Sequence, residues 1–164
     1  MGTVLGAMRN VRWHELQHAY GSASQVPGVL SRIAWGDAPS SDQALSDLER
    51  WIGTPPVFDS TAATVPFLWE LAVTERVRDR AGVLDLLTTV LAAGDVRRPG
   101  WTRAAHDAVA AGRGTADRLA APSTPGLSGA APPTSLARPV RAAAARLLGA
   151  IDRHSCPVCA PGGD

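Results

Sequence analysis

The chain reads Ser22-Ala23-Ser24-Gln25-Val26-Pro27 and, 39 residues later, Thr61-Ala62-Ala63-Thr64-Val65-Pro66. After each Val-Pro pair come a short apolar stretch, a polar break and a second apolar stretch. A unit of about 40 residues that contains two helices is typical of a stacked helical repeat array. The extended surfaces of such arrays commonly bind other macromolecules. The sequence therefore predicts an architecture without naming what it binds.

Both helices of the unit keep their register across this offset. In the first helix, Val26, Val29, Leu30 and Ile33 correspond to Val65, Leu68, Trp69 and Ala72. In the second helix, Ala44, Leu45, Leu48 and Ile52 correspond to Val83, Leu84, Leu87 and Leu91. Steps of three and four place each set on one helix face, so we expect these faces to be buried. The predicted helices cover about residues 24–35, 41–52 and 59–73, and the fourth ends before Gly94.

The segments before and after these two repeats have a less regular apolar pattern. A helix is predicted over about residues 10–19, and a third unit follows, with helices over residues 101–121 and 137–152. The predicted organisation is an N-terminal helix, two repeats and the first helix of a third over 1–121, a flexible Pro/Gly/Ser-rich loop over 122–135, a closing helix over 136–153 and a loose tail over 154–164.

Composition narrows the possible functions. The chain has 164 residues, 45% of them hydrophobic, and a net charge of +1, which gives no general attraction to nucleic acid or anionic membranes. No apolar segment is long enough for a signal peptide or a membrane span. Two cysteines do not make a disulfide framework, so the cytoplasm is the expected location.

One motif suggests catalysis. His14-Glu15-Leu16-Gln17-His18 matches H-E-x-x-H, in which two histidines on one helix face hold zinc and the glutamate activates water. Zinc proteases place this helix beneath a preceding sheet, but only 13 residues precede His14 and no strand is evident. We therefore expect a partly exposed helix, packed through Trp13 and Leu16 on the first repeat.

The C-terminal His154-Ser155-Cys156-Pro157-Val158-Cys159 contains a C-x-x-C with a nearby histidine. A structural zinc site needs about four ligands, and the chain has no second C-x-x-C. Redox C-x-x-C motifs follow a strand, which is absent here. A loose tail is the expectation, with metal-mediated pairing of two chains as the alternative.

Several stretches resemble bacterial HEAT-repeat proteins of the actinobacterial type. They are His18–Ala23 with Val26-Pro27, Thr61–Leu68, Asp79–Leu87 and Val140–Gly149. The resemblance covers most of residues 11–152 and implies a short right-handed α-solenoid of about three HEAT-like helical pairs. The third unit departs from the family pattern because a Gly/Pro-rich insertion separates its helices.

We therefore predict an all-α, non-enzymatic scaffold that binds an unknown protein partner. No catalytic, cofactor-binding or metal-ligating residue is assigned, and no cofactor, membrane or nucleic acid is expected; Arg97, Arg98 and Arg103 are interpreted as a solvated turn. An immunity-type protein that binds a cognate toxin is an alternative by analogy with other repeat proteins. A zinc hydrolase using His14, Glu15 and His18 is the remaining alternative.

Overall fold

The computed structural model describes residues 5–53, 57–122 and 137–159, and within them the chain is predominantly α-helical. The helices are α1 (Val26–Trp35), α2 (Ala38–Ile52), α3 (Asp59–Ala72), α4 (Arg80–Ala92), α5 (Pro99–Ala110), α6 (Arg113–Ala120) and α7 (Ala137–Asp152). Short 3-10 turns at Gly6–Asn10, Trp13–Glu15 and Ala23–Gln25 and an antiparallel ribbon of β1 (Gln17–His18) and β2 (Gly21–Ser22) precede α1. The predicted all-α class is confirmed.

The eight apolar pairs that the sequence predicted to share helix faces are all buried. The members in α1 and α3, and those in α2 and α4, are at most 9% exposed. The repeat therefore marks two helical pairs that use equivalent faces, as the spacing predicted. Removing these side chains from water is the main stabilising contribution in such a core.

Helix packing follows the order of the units. α1 packs on α2, and α3 packs on α4. Equivalent helices are also neighbours, since α1 contacts α3 and α2 contacts α4. Beyond them, α5 lies against α3, whereas α7 packs on both α4 and α6.

Aspartates begin the second helix of each repeated pair. The Asp37 carboxylate accepts the Ser40 backbone N–H at 2.9 Å, and this bond lowers the pKa of Asp37. At α4, Asp79 accepts from the Gly82 N–H at 2.8 Å. The predicted start of α2 at position 41 or 42 is therefore too late, because Ser41 is already inside the helix and bonds the Ile33 carbonyl.

The predicted helix over residues 10–19 is wrong. Gln17 instead donates its backbone N–H to the Asp59 carboxylate at 2.8 Å and accepts the Ser60 hydroxyl at 2.5 Å. The next turn includes Gly21 at φ +132°, a conformation that glycine adopts without strain. Hydrogen bonds from the start of α3 thus replace the i to i−4 bonds that a local helix would need.

The single helix predicted over residues 101–121 is divided into α5 and α6. The break lies at Gly112, where a Cβ atom would overlap the Trp69 indole ring. The Trp69 side chain is 91% buried, so it has little room to move away. The start of α6 can therefore lie this close to Trp69 of α3 only because residue 112 is glycine.

The helix predicted over residues 136–153 is present as α7, close to its predicted bounds. The predicted flexible loop over 122–135 lies, apart from Pro122, outside the described residues, as do residues 160–164 of the predicted tail. Among the helices of the described ranges, none combines the length and apolar character needed to cross a bilayer.

Candidate metal centre

Four side chains with metal-binding donors meet beside α5. They are His106 on α5 and His154, Cys156 and Cys159 from the segment that follows α7. One donor atom from each lies within 4.8 Å of all the others. Two imidazoles and two thiols at this spacing form the donor set of a Cys2His2 zinc site.

His106 is held in one orientation by the end of α4. The residue is 2% exposed, and its Nε2–H donates to the Ala93 carbonyl oxygen at 2.6 Å. This bond assigns the proton to Nε2 and leaves the Nδ1 lone pair available. Histidine ligands of zinc commonly use their second ring nitrogen in this way, because the bond fixes both ring angle and tautomer.

Cys156 and Cys159 form a tight turn that faces the Nδ1 atom of His106. Nδ1 lies 3.2 Å from Cys159 Sγ and 3.6 Å from Cys156 Sγ. The Cys159 backbone N–H donates to Cys156 Sγ at 3.3 Å. In a tetrahedral site with Zn–S of about 2.3 Å and Zn–N of about 2.0 Å, the nitrogen–sulfur edge is about 3.5 Å. The two distances from His106 fit that edge.

His154 completes the group. Its ring stands edge-on to that of His106, with centroids 4.6 Å apart and an interplanar angle of 83°. The His154 Nε2 atom is buried and has no hydrogen-bond partner among the described residues. A buried polar atom without a partner is costly, and a metal ion at the centre of the cluster would satisfy it.

A hydrogen bond from Arg103 holds the cysteine turn against α5. The Arg103 guanidinium donates to the Val158 carbonyl at 2.9 Å. The Val158 residue is only 8% exposed. Residues 154–159, which were expected to be part of a loose tail, therefore pack on the helical core.

The pKa shifts show what must change when a metal binds. Burial opposes ionisation of Cys156, but hydrogen bonds from Cys159 and the Val158 N–H, with the Arg103 charge, outweigh it and lower its pKa. Burial, with the hydrogen bond and charge of Cys156, raises the pKa of Cys159 to about 11. Burial and the charge of His106 lower the pKa of His154, which favours the neutral imidazole that binds metals. Metal binding would therefore release protons mainly from the thiols.

The H-E-x-x-H residues do not form a comparable group. His14 and Glu15 lie in a 3-10 turn with side chains 72% and 54% exposed, whereas His18 lies in β1 and is 7% exposed. His18 stacks on Trp51 with centroids 4.5 Å apart, and its Nδ1 accepts the Tyr20 N–H at 3.0 Å. The motif therefore lacks the continuous helix that places its two histidines on one face.

The arginines of the turn before and within α5 each have a contact inside the chain. Arg97 pairs with Asp95 at 3.5 Å, and the Arg98 guanidinium lies 4.3 Å from the Trp101 ring centroid. Arg103 is occupied at the cysteine turn, as described above. Arg97 and Arg98 line one cavity with Phe58 and Asp95, whereas Arg103 is bonded to the cysteine turn.

The local sequence pattern predicts no metal site, because His154 is the one further histidine or cysteine close to the C-x-x-C in the chain. His106 is 50 residues from Cys156 in the chain, and only the fold brings the two together. The sequence did indicate that His106 is buried, because Thr102, His106 and Val109 have the three-to-four spacing of one helix face. All three residues are buried in the structure. A histidine on a buried face needs a partner, and the C-terminal cysteines supply one.

In comparisons with known proteins, the chain matches no family model, no curated protein and no solved structure.

Proposed function

We propose that this protein is a non-enzymatic, HEAT-like repeat protein whose C-terminal segment is held on α5 by a structural zinc ion. The observation that carries the proposal is the convergence of His106, His154, Cys156 and Cys159, with donor atoms within 4.8 Å of one another. The chemistry of these donors selects the metal. Thiolate and imidazole ligands in tetrahedral arrangement favour zinc over the oxygen-seeking ions magnesium and calcium.

The number of donors favours a structural role over a catalytic one. Catalytic zinc keeps a coordination position for water or substrate, whereas structural zinc is surrounded by four protein ligands. Here two cysteines and two histidines would fill all four positions around a tetrahedral ion. The ion would then have no open site at which to activate water.

The position of the centre indicates what the ion stabilises. The Ala93 carbonyl that orients His106 lies just after α4, His106 is on α5, and the remaining ligands follow α7. The metal would thus connect α5 to the segment that follows α7, across the insertion between α6 and α7, at a point where His106 is also bonded to the end of α4. A cross-link between distant residues removes the entropy of a long loop from the unfolded state.

Metal analysis tests this proposal. The full chain, purified under reducing conditions and passed over a desalting column, should carry one zinc ion per chain. Cys156→Ser and His106→Gln should abolish the bound zinc. His14→Gln is the matched control, because it removes an exposed histidine outside the cluster, and it should retain the ion. Absence of zinc from the unaltered chain, or equal zinc in Cys156→Ser, would contradict the proposal.

Cobalt substitution would check the geometry. Tetrahedral cobalt with thiolate ligands absorbs strongly in the visible range, whereas six-coordinate cobalt does not. The visible bands should appear at one equivalent of added Co²⁺ and should disappear on addition of Zn²⁺. A spectrum of six-coordinate cobalt would argue against a Cys2His2 centre.

The scaffold part of the proposal is supported by the repeat register. Matched positions of two successive helical pairs are buried, and equivalent helices are neighbours. We infer a short right-handed HEAT-like solenoid that binds a protein partner in the reducing cytoplasm, where the two thiols would remain reduced. A cognate toxin is one partner of this kind.

Substitution of Trp35 tests where a partner binds. It is 49% exposed and, with Leu5, Met8 and Trp13, lines a cleft of about 470 Å³ on the N-terminal side of the molecule. In a cross-linking experiment with the full chain, a genuine partner should be lost on Trp35→Ala. It should be retained on Val96→Ala, which removes an exposed apolar side chain that does not line this cleft. Equal recovery with both variants would exclude the cleft as the binding surface.

A further inference from the structure

The two cysteines of the chain are both members of the candidate metal centre. They lie three residues apart, their Sγ atoms are within 4.8 Å of each other, and both residues are partly exposed. Every thiol of this protein is therefore placed where a single oxidation event could remove half of the metal ligands. No third cysteine is present to compete for disulfide formation.

We propose that the zinc centre is a reversible redox latch, in which a hydroperoxide converts Cys156 and Cys159 to a disulfide and releases the ion. The latch requires the zinc centre proposed above. In the first step, one thiolate attacks hydrogen peroxide, the O–O bond breaks, and a sulfenic acid and hydroxide form. In the second step, the other thiolate attacks the sulfenic sulfur, the S–S bond forms and a second hydroxide leaves.

The balance of the reaction is complete. Two thiolates lose two electrons, hydrogen peroxide gains them, and two protons from solvent convert the two hydroxides to water. The zinc ion leaves without change of oxidation state. Reduction by a dithiol reverses the process, since it restores both thiolates as the dithiol becomes a disulfide.

The geometry favours the disulfide over deeper oxidation. A sulfenic acid at either cysteine has the second sulfur within 4.8 Å, so intramolecular attack competes with a second molecule of peroxide. The Cys159 N–H that donates to Cys156 Sγ already bends the turn so that its ends approach. A closed disulfide cannot supply the two thiolates that the ion needs.

Release of the ion would affect the C-terminal segment selectively. His106 keeps its bond to the Ala93 carbonyl, which does not involve the metal, so α5 remains fixed to the end of α4. The segment from His154 to Cys159 would retain the Arg103 bond to the Val158 carbonyl and lose its metal bonds. Oxidation should therefore loosen this segment while the two-repeat core stays folded.

The test treats the zinc-loaded full chain with hydrogen peroxide and follows zinc with a metallochromic dye. We expect release of one zinc ion per chain in step with the loss of both thiols, and a mass decrease equal to two hydrogens. A dithiol should restore the thiols, and added zinc should then bind again at the original stoichiometry. Hydrogen exchange should show faster exchange in residues 153–159 and unchanged exchange in α2 and α3.

The outcomes separate this inference from the proposed function. A chain that holds no zinc before oxidation would overturn both. A chain that holds zinc and keeps it under peroxide, or loses it with masses that show added oxygen and no disulfide, would overturn the latch alone. The variant Cys159→His tests the mechanism further, because it keeps four potential ligands but cannot form the disulfide. If this variant binds zinc, peroxide should not release the ion through a disulfide that a dithiol can reduce. If it does not bind zinc, the mass and dithiol measurements on the unaltered chain decide the question.

Discussion

His106 donates its Nε2–H to the carbonyl oxygen of Ala93 at 2.6 Å, and this bond decides which nitrogen faces the cysteines. The donor lies on α5 and the acceptor lies immediately after α4, so the ring is oriented by the packing of two helices. The nitrogen proposed to bind the metal is therefore positioned by the fold without any ion. Such preorganisation reduces the entropy that a ligand must lose on binding.

The tautomer of His106 gives the first prediction. Nitrogen-15 NMR of the zinc-loaded chain should show a proton on Nε2 and none on Nδ1, with the Nδ1 resonance sensitive to replacement of the ion by cadmium. His106→Gln should identify the signals by their disappearance. A protonated Nδ1 in the loaded protein would contradict the assignment of this atom as a ligand.

Removing the metal gives the second prediction. A ligand present at about 100 times its dissociation constant stabilises a protein by about 2.7 kcal/mol, so chelation should lower the melting temperature by about 5–10 °C in a chain of this size. The Cys156→Ser/Cys159→Ser double variant should melt at the same temperature with and without chelator. A chelator response of equal size in that variant would locate the effect outside the cluster.

The apolar spacing predicted the helices of the two repeats, but it predicted neither this site nor the division of residues 101–121 into α5 and α6. The spacing of Val26, Val29 and Ile33, and of their partners 39 residues later, predicted buried helix faces because helical periodicity is a local property. The contact of His106 with Cys156 depends on how the segment after α7 lies on α5, which no local window of sequence contains. The prediction of a helix over residues 10–19 was wrong for a similar reason, because the backbone of this segment forms hydrogen bonds with α3.

Gly112 provides the third prediction. Gly112→Ala should destabilise the protein by about 2–4 kcal/mol, since the added methyl group overlaps the Trp69 ring in a packed interior. Gly114→Ala is the matched control in α6, where the closest atom to an added Cβ is 3.8 Å away. It should be neutral or stabilising by up to about 1 kcal/mol, because alanine favours helix over glycine. Urea unfolding measures both, and equal effects would refute the packing argument.

The attachment of the N-terminal segment to α3 gives the fourth prediction. Ser60 is fully buried, and its hydroxyl donates to the Gln17 carbonyl at 2.5 Å. Ser60→Ala should cost about 0.5–1.5 kcal/mol, because the hydrogen bond to the Gln17 carbonyl is lost. Thr89→Ala removes an exposed hydroxyl that bonds within α4 and should change stability by less than about 0.5 kcal/mol. Comparable losses in both variants would mean that the cross-contact is not the cause.

The stack of His18 on Trp51 predicts a dependence of stability on pH. Burial lowers the pKa of His18 from 6.5, so the folded state resists protonation while the unfolded chain accepts the proton at about its ordinary value. The stabilising contribution is fully present above pH 6.5 and is lost as the pH falls through the folded-state pKa. Urea unfolding should therefore show a lower free energy of unfolding on the acidic side of this value.

The measurement belongs in the Cys156→Ser/Cys159→Ser background, where loss of a bound metal cannot contribute. In that background, His18→Gln should weaken the decline in the free energy of unfolding, because it removes the titrating group. An undiminished decline would show that another group is responsible.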